Sequence, residues 1–528
     1  MSRVHLQEEL LSSSTRVVVE TKYGSVRGGK AANGAQVFLE IPYALNPVRF
    51  QDPEPLPQTY RYEDKDYIYE SSYCAQPKND GQAAGVPWED KVGLGEPTEH
   101  PLVVNVVSPP HATSTSNFPV KVYIHGGFLQ FGSLHGLSGQ AQYVSAERSE
   151  VWLNIGYRLS AFGFLACDEP RVDGNFGFKD QWLALLWIKE NIKAFGGNPN
   201  NIQVSGLSAG AHSVHQLLHH VSRLPKGESS PFQSALLQSN AIIIAPKTLK
   251  ELRPQFQAFC RALNLDPSSP EVLSKLRDPN FVSTTAITHA IETDAFGAQY
   301  GTFRGTLDGD WMPSDPMEWQ RSGAFAAALK SKGVKSIIVG DLTEEWYLYA
   351  IAHPVKSMSD VEMNLERYYQ VEMVERVLKL YEDQAVLIPE GAPPEEFERF
   401  MGRILSEGQV HLPVRILARD MLKAGFPILR YDIRWTPEQL RPLGYVTHAT
   451  DRALWALRLP SLEPAQADVA RAWLDTIARE VKELEEAGSS TRDIREILTL
   501  KEDRTIAWTE DKTWDDVVRL LKVLPGES

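Results

Sequence analysis

Short apolar runs bounded by Gly, Pro and Asn recur along the first half of the chain, the pattern of strands buried in a sheet. Val17-Val18-Val19 leads into Tyr23-Gly24-Ser25-Val26-Arg27-Gly28, and Val37-Phe38-Leu39-Glu40-Ile41-Pro42-Tyr43-Ala44 follows. Residues 102–107, 120–124 and 151–155 repeat the pattern. Between residues 181 and 195 the period changes: Leu183, Leu185, Leu186, Ile188 and Ile192 recur at helical spacing until Gly196-Gly197-Asn198-Pro199 stops them. Ile202-Gln203-Val204-Ser205 then reads as a strand, Gly206-Leu207-Ser208-Ala209-Gly210 as a sharp turn, and residues 211–221 as a helix. Strand, helix, strand and helix in that order predict βαβ units and a largely parallel sheet with helices on its faces.

The second half alternates on a longer scale. Residues 232–239 read as a strand, 248–300 as charged helices, and 334–340 as a return to the sheet. Residues 358–425 are helix-patterned, with Val371, Val374, Val377 and Leu378 on one face, before a last strand at 427–433. The helical blocks at about 248–300 and 358–425 fall between strands and are expected to cap the sheet edge. Residues 51–97 are polar and rich in Pro, Gly and Asp, so they are expected to form a surface loop. The pattern contains no internal repeat and no low-complexity tract.

Composition narrows the function classes. Of 528 residues, 54 are Lys or Arg and 68 are Asp or Glu, a net charge of −14. No global field therefore favours nucleic acid or an anionic membrane surface, and no apolar run approaches membrane-spanning length. The three cysteines, Cys74, Cys167 and Cys260, are far apart and odd in number, which suits neither a disulfide framework nor a paired zinc site. Met1-Ser2-Arg3-Val4-His5-Leu6-Gln7-Glu8-Glu9 has acids where a secretory signal needs an apolar core, and no Asn-x-Ser/Thr acceptor occurs. The expectation is a cytoplasmic protein with reduced, buried thiols.

The chemistry centres on Ser208. Glycines two residues to either side let a strand turn abruptly into a helix and leave the hydroxyl at the tip, the arrangement of a nucleophile elbow. Such a serine needs a base and an acid to orient it, in the chain order Ser, then Asp or Glu, then His. Two downstream loops supply them: Gly340-Asp341-Leu342-Thr343-Glu344-Glu345-Trp346 and Gly444-Tyr445-Val446-Thr447-His448-Ala449-Thr450-Asp451. A rival constellation is His212, His215 and His219, which share a helical face after Ser208 and could ligate a metal. No Glu follows the leading histidines as in a metalloprotease helix, so they are read as packed core histidines, with no metal site.

Together these pieces resemble the type-B carboxylesterases, the carboxylesterase and cholinesterase family of α/β-hydrolases. The resemblance is carried by Tyr23-Gly24-Ser25-Val26-Arg27-Gly28, by Ile41-Pro42-Tyr43-Ala44 with Arg49-Phe50, and by Val122-Tyr123-Ile124-His125-Gly126-Gly127. Asn154-Ile155-Gly156-Tyr157-Arg158-Leu159 with Gly163-Phe164-Leu165, Gly174-Asn175-Phe176-Gly177 with Asp180-Gln181, and Phe195-Gly196-Gly197-Asn198-Pro199 continue it into the elbow. It implies an α/β-hydrolase fold over residues 1–528 as one catalytic domain, and a serine hydrolase that cleaves carboxylic esters through an acyl-enzyme without a cofactor.

By this resemblance Ser208 is the nucleophile, His448 the general base and acid, and Glu345 the triad acid, with Glu344 and Asp341 as competitors. Backbone donors of Gly126, Gly127, Phe128 and Ala209 form the oxyanion hole. Phe128 departs from the family's third glycine, Leu207 stands where its usual Glu precedes the nucleophile, and Pro101 occupies the position expected to pair with Cys74. Leu207, Leu129 and Phe131 are expected, with Phe128, to line an apolar pocket for a neutral, hydrophobic ester or lactone. A lactonase or amidase with the same triad, or a non-catalytic cholinesterase-like binding protein, are the alternatives. The partner implied is a small-molecule ester, with no nucleic acid and no membrane span.

Overall fold

The computed structural model describes residues 3–78, 87–384, 388–389 and 391–527. Among these, twelve strands form one sheet: β1 (Arg16–Thr21), β2 (Gly24–Lys30), β3 (Gln36–Pro42), β4 (Val103–Ser108), β5 (Phe118–Ile124), β6 (Val151–Ile155), β7 (Gly197–Leu207), β8 (Ser234–Gln238), β9 (Ser336–Leu342), β10 (Ile428–Ile433), β11 (Glu496–Leu500) and β12 (Ile506–Glu510). Their spatial order is β1-β2-β3-β4-β6-β5-β7-β8-β9-β10-β11-β12. The first pairings, through β4 with β6, are antiparallel, and from β6 to β11 the sheet is parallel. Chain order and spatial order cross between β5 and β6, so the C-terminal ends of the parallel strands gather their loops on one edge, where an α/β sheet places its site.

The central strands are apolar because both faces are covered: every residue of β8 and β9 is buried. Helix α1 (Phe176–Asn191) begins five residues before the apolar periodicity does. Its first turns carry Asp180, whose carboxylate accepts from Nε and Nη2 of Arg158, at 2.8 and 2.7 Å, inside the core. A buried ion pair breaks the apolar pattern while satisfying the charge that burial would otherwise penalise.

Two strands lie beyond the one expected to be last. β11 and β12 follow the long helix Pro464–Ala487 and close the sheet edge. β12 is only half-buried and carries Thr509 and Glu510, so it lacks the continuous apolar run that marks an interior strand. The stretch 51–97 is mostly loop, as expected, with a short helix at Trp88–Val92 and a parallel pair of three-residue strands, Ser72–Cys74 and Glu96–Thr98. Residues 79–86 of it lie outside the described residues.

The two helical blocks differ in what they cover. In the first, α2 of the elbow (Ala209–Ser222) is followed by α3 (Leu249–Ala262), whose Phe256, Phe259 and Cys260 join the same apolar cluster as the sheet. The second builds a cluster of its own around Phe128, Tyr349, Met373, Phe397 and Met401, together with Val517 and Leu520 near the C-terminus. Residues 385–387 and 390 of this block are not among those described. Between Pro394–Ser406 and Leu412–Lys423 the helix widens into one π turn, Glu407–His411. Pro413, which has no N–H to give, is the second residue after that turn. Among the described residues no helix is long and apolar enough to cross a membrane.

Candidate active site

Ser208 stands between β7 and α2 with φ 59° and ψ −125°, a strained backbone that projects its side chain from the turn. The flanking glycines are required by contact. A Cβ at Gly206 would meet the Gly210 carbonyl carbon at 2.2 Å, and one at Gly210 would meet the Ile124 oxygen at 2.1 Å. The turn is pinned from both sides: Ser208 N–H donates to the Gln238 carbonyl of β8 at 2.8 Å, and His212 N–H donates to the Ser208 carbonyl at 3.0 Å. Ser208 itself remains 7% exposed.

The loop after β5 crosses directly in front of the serine. A Cβ at Gly126 would meet Ser208 Cβ at 2.9 Å, so only glycine lets the backbone approach this closely. Gly127, at φ 114°, turns the chain, and its carbonyl accepts from Gln130 and Phe131 N–H. Phe128 and Leu129 follow at φ 56° and 65°, two successive left-handed residues with side chains, each costing about 1–3 kcal/mol. Packing offsets this. The Phe128 ring lies among Tyr349, His353 and Tyr368 at 5.9, 5.7 and 6.4 Å. Gln130 ties the loop down by donating to the Phe128 carbonyl at 2.9 Å and accepting from Phe303 N–H at 3.1 Å. Among the described residues the N–H groups of Gly126, Gly127, Phe128 and Ala209 make no hydrogen bond.

The three candidate acids take three different partners. Glu345, fully buried at the end of β9, receives Leu342 N–H on Oε1 at 3.1 Å and meets His448 Nδ1 with Oε2 at 2.6 Å. Glu344 turns the other way and accepts Val446 N–H at 2.7 Å. Asp341 faces His411 Nδ1 at 2.7 Å and Arg415 at 3.2 Å. Burial pushes the Asp341 carboxyl up, but the charges of Arg415 and His411 outweigh it and hold the group below its ordinary value.

Because the Glu345 carboxylate can only accept, His448 Nδ1 carries the proton of that bond and Nε2 is left as an acceptor. Nε2 is buried and has no hydrogen-bond partner among the described residues. Asp451, three residues on, is also buried, with Trp455 Nε1 donating to it at 2.9 Å. Burial, reinforced by the nearby Glu345 charge, pushes Asp451 up to about 6. Gln130 had no signature in the sequence, since it works through Phe303, remote along the chain.

Of the expected pocket residues, Leu129 lies deepest. Its side chain is 1% exposed and belongs to the main cluster beneath the loop, because the left-handed turn sends Phe128 and Leu129 in opposite directions. Phe128 and half-buried Phe131 pack together toward the helices of the second block, with ring centroids 6.0 Å apart. Leu207 is buried immediately before the serine and belongs to none of the three apolar clusters. The histidine trio packs inside. His215 is engaged on both ring nitrogens, by Gln320 at 2.9 Å and Ile242 N–H at 2.9 Å, and His219 stacks on Phe325 at 4.4 Å. Burial holds all three well toward the neutral form. Among the described residues no group of three or more His, Cys, Asp or Glu side chains is arranged to hold a metal ion.

A family profile described as "Carboxylesterase family" matches residues 15–472. An uncharacterized esterase/lipase of Schizosaccharomyces pombe is 29% identical over 93% of this chain and 92% of its own. A carboxylic ester hydrolase of Gibberella moniliformis is 29% identical over 92% of this chain and 91% of its own. Among solved structures, a PNB esterase superposes with a TM-score of 0.71 at 25% identity, covering 96% of this chain and all of that one.

Proposed function

The chain belongs to the carboxylesterase family and is a carboxylic ester hydrolase, and from that premise we propose that Ser208, His448 and Glu345 perform the hydrolysis. Ser208 Oγ attacks the ester carbonyl as His448 Nε2 takes its proton, and Glu345 stabilises the imidazolium that forms. Negative charge developing on the carbonyl oxygen falls to the N–H groups of Gly126, Gly127, Phe128 and Ala209. The alcohol leaves with the proton from His448. Water, deprotonated by the same ring, then attacks the acyl-enzyme, and the carboxylic acid departs. The observation that carries this reading is the His448 ring itself, held on Nδ1 by a buried carboxylate while Nε2 is unpartnered.

Leu207, Phe128 and Phe131 support an uncharged, apolar group next to the scissile bond, as in a neutral ester or lactone. A quaternary ammonium would find no acid at position 207 to offset its desolvation. The reading takes one catalytic domain roofed by helical segments, and a cytoplasmic location, which the three unpaired buried cysteines support.

Labelling with a fluorophosphonate followed by peptide mapping tests the assignment. The adduct is expected on Ser208. An ester-hydrolysing preparation that takes no label, or takes it on another residue, would refute the nucleophile.

A further inference from the structure

A cavity of about 70 Å³ lies one helical turn along α2 from Ser208, where His212 reaches it. Measured at ~10–15 Å³ per water, this has room for roughly five to seven waters, enough for a short polar group. Lys247, Arg304, Arg367, Tyr368 and Gln409 also line it, and the segment 241–247 that floors it leaves the C-terminal end of β8, the sheet edge that carries the nucleophile. No residue of the loop 444–451 contributes. Since the leaving alcohol takes its proton from His448, the alcohol lies on the His448 side of the serine. The cavity, which draws no lining from the loop that carries His448, is read as lying on the acyl side.

The charges around the cavity do not balance. Arg367 pairs with Asp294 at 3.1 Å. Lys247 has only the Glu366 carbonyl at 2.7 Å, and Arg304 only the Gln409 amide oxygen at 3.4 Å and the face of Tyr368 at 5.0 Å. The one acid on the lining, Glu251, is committed to capping α3 through Thr248 N–H and Oγ1, both at 2.7 Å. Among the described residues neither Lys247 nor Arg304 has a carboxylate within ion-pair distance. Burial lowers Lys247 below an ordinary ammonium, and the charges of Glu251 and Glu366, neither within ion-pair distance, only partly offset it. His212 is held neutral and adds no competing charge. Two cations that share a small cavity, neither of them ion-paired with a carboxylate, form a receptor for an anion.

We propose that this cavity binds a carboxylate at the far end of the substrate's acyl chain, between Arg304 and Lys247, so that the enzyme acts on half-esters of dicarboxylic acids. This rests on the serine mechanism above and extends it: the surroundings of the scissile bond stay apolar, and the anion sits about 6 Å further along, four residues at 1.5 Å rise.

The test compares mono-para-nitrophenyl adipate with para-nitrophenyl hexanoate, which differ only in the terminal carboxylate. Wild type should favour the adipate half-ester by about tenfold or more in kcat/KM. Arg304→Gln combined with Lys247→Met should erase that preference while hexanoate turnover stays within about threefold. Equal rates in the wild type, or a preference that survives the double substitution, would overturn the proposal. Should the double variant fail to fold, inhibition of wild-type hexanoate turnover decides instead, and free adipate must inhibit more strongly than hexanoate. Failure on both esters would count against the serine mechanism. In that event adipate binding to wild type by calorimetry, weakened in Arg304→Gln, judges the cavity independently.

Discussion

Glu344 and Val446 hold one another through two hydrogen bonds: Glu344 N–H donates to the Val446 carbonyl at 3.0 Å, and Val446 N–H donates to the Glu344 carboxylate at 2.7 Å. This clamp joins the loop after β9 to the loop that carries His448, two residues beyond Val446. It also faces Glu344 away from the ring and leaves Glu345 as the carboxylate that reaches it.

Substitution at the two positions should therefore separate. Glu345→Gln replaces the acceptor of the His448 proton with an amide and should lower kcat by on the order of a thousandfold or more. Glu344→Gln keeps an oxygen for Val446 N–H and should stay within a few-fold of wild type. Glu344→Ala, which opens the clamp, should fall between them, with KM little changed. Steady-state kinetics on an aryl ester measure all three, and equal losses in the two Gln variants would reject the assignment.

Ser208→Ala removes only a hydroxyl from a turn held by Gly206, Gly210 and the Gln238 carbonyl. Ester turnover should drop by on the order of a thousandfold or more with the thermal midpoint unchanged. Wild-type rates from contaminant-free alanine variant would remove the serine from the mechanism.

Asp451 gives stability a pH dependence of definite sign. Its carboxyl is raised from an ordinary 3.8 to about 6 by burial, so between those values the folded chain keeps a proton that the unfolded chain has lost. Stability from this group is complete below about pH 4 and declines as pH rises through 6, by on the order of 3 kcal/mol. Asp451→Asn, which can still accept from Trp455, should flatten that decline. Denaturation midpoints measured from pH 4 to 7 read it directly. Parallel curves for the two proteins would contradict it.

The cysteines should be inert in the native protein. All three are buried and unpaired, and burial pushes the Cys260 thiol up to about 12 and Cys74 and Cys167 upward as well. Native protein should react only slowly with a disulfide reagent, and the denatured, unreduced chain should release three thiols. A thermal midpoint that drops with reductant would contradict the free assignment.

The amino-acid sequence by itself determined the α/β succession, the elbow at Ser208 and the loops that hold its partners. These are local matters: apolar period distinguishes strand from helix, and Gly206 and Gly210 are glycine because carbonyls crowd them at about van der Waals overlap. Strand β12 escaped because an edge strand carries no continuous apolar run, β11 although its Ile497-Leu498-Thr499-Leu500 is buried and mostly apolar, and the start of α1 escaped because its buried Asp180 is paired across the core. Which of Asp341, Glu344 and Glu345 meets His448 was decided only in three dimensions. Carboxylates close together in the chain point in directions set by remote partners, Arg415 for the first, Val446 for the second and His448 for the third. The same holds for Leu129, which packs into the main cluster while Phe128 packs into the cluster of the second helical block, and for Lys247 and Arg304. Those two are separated by more than fifty residues of chain, and their shared lack of an anion exists only where the fold brings them to one cavity.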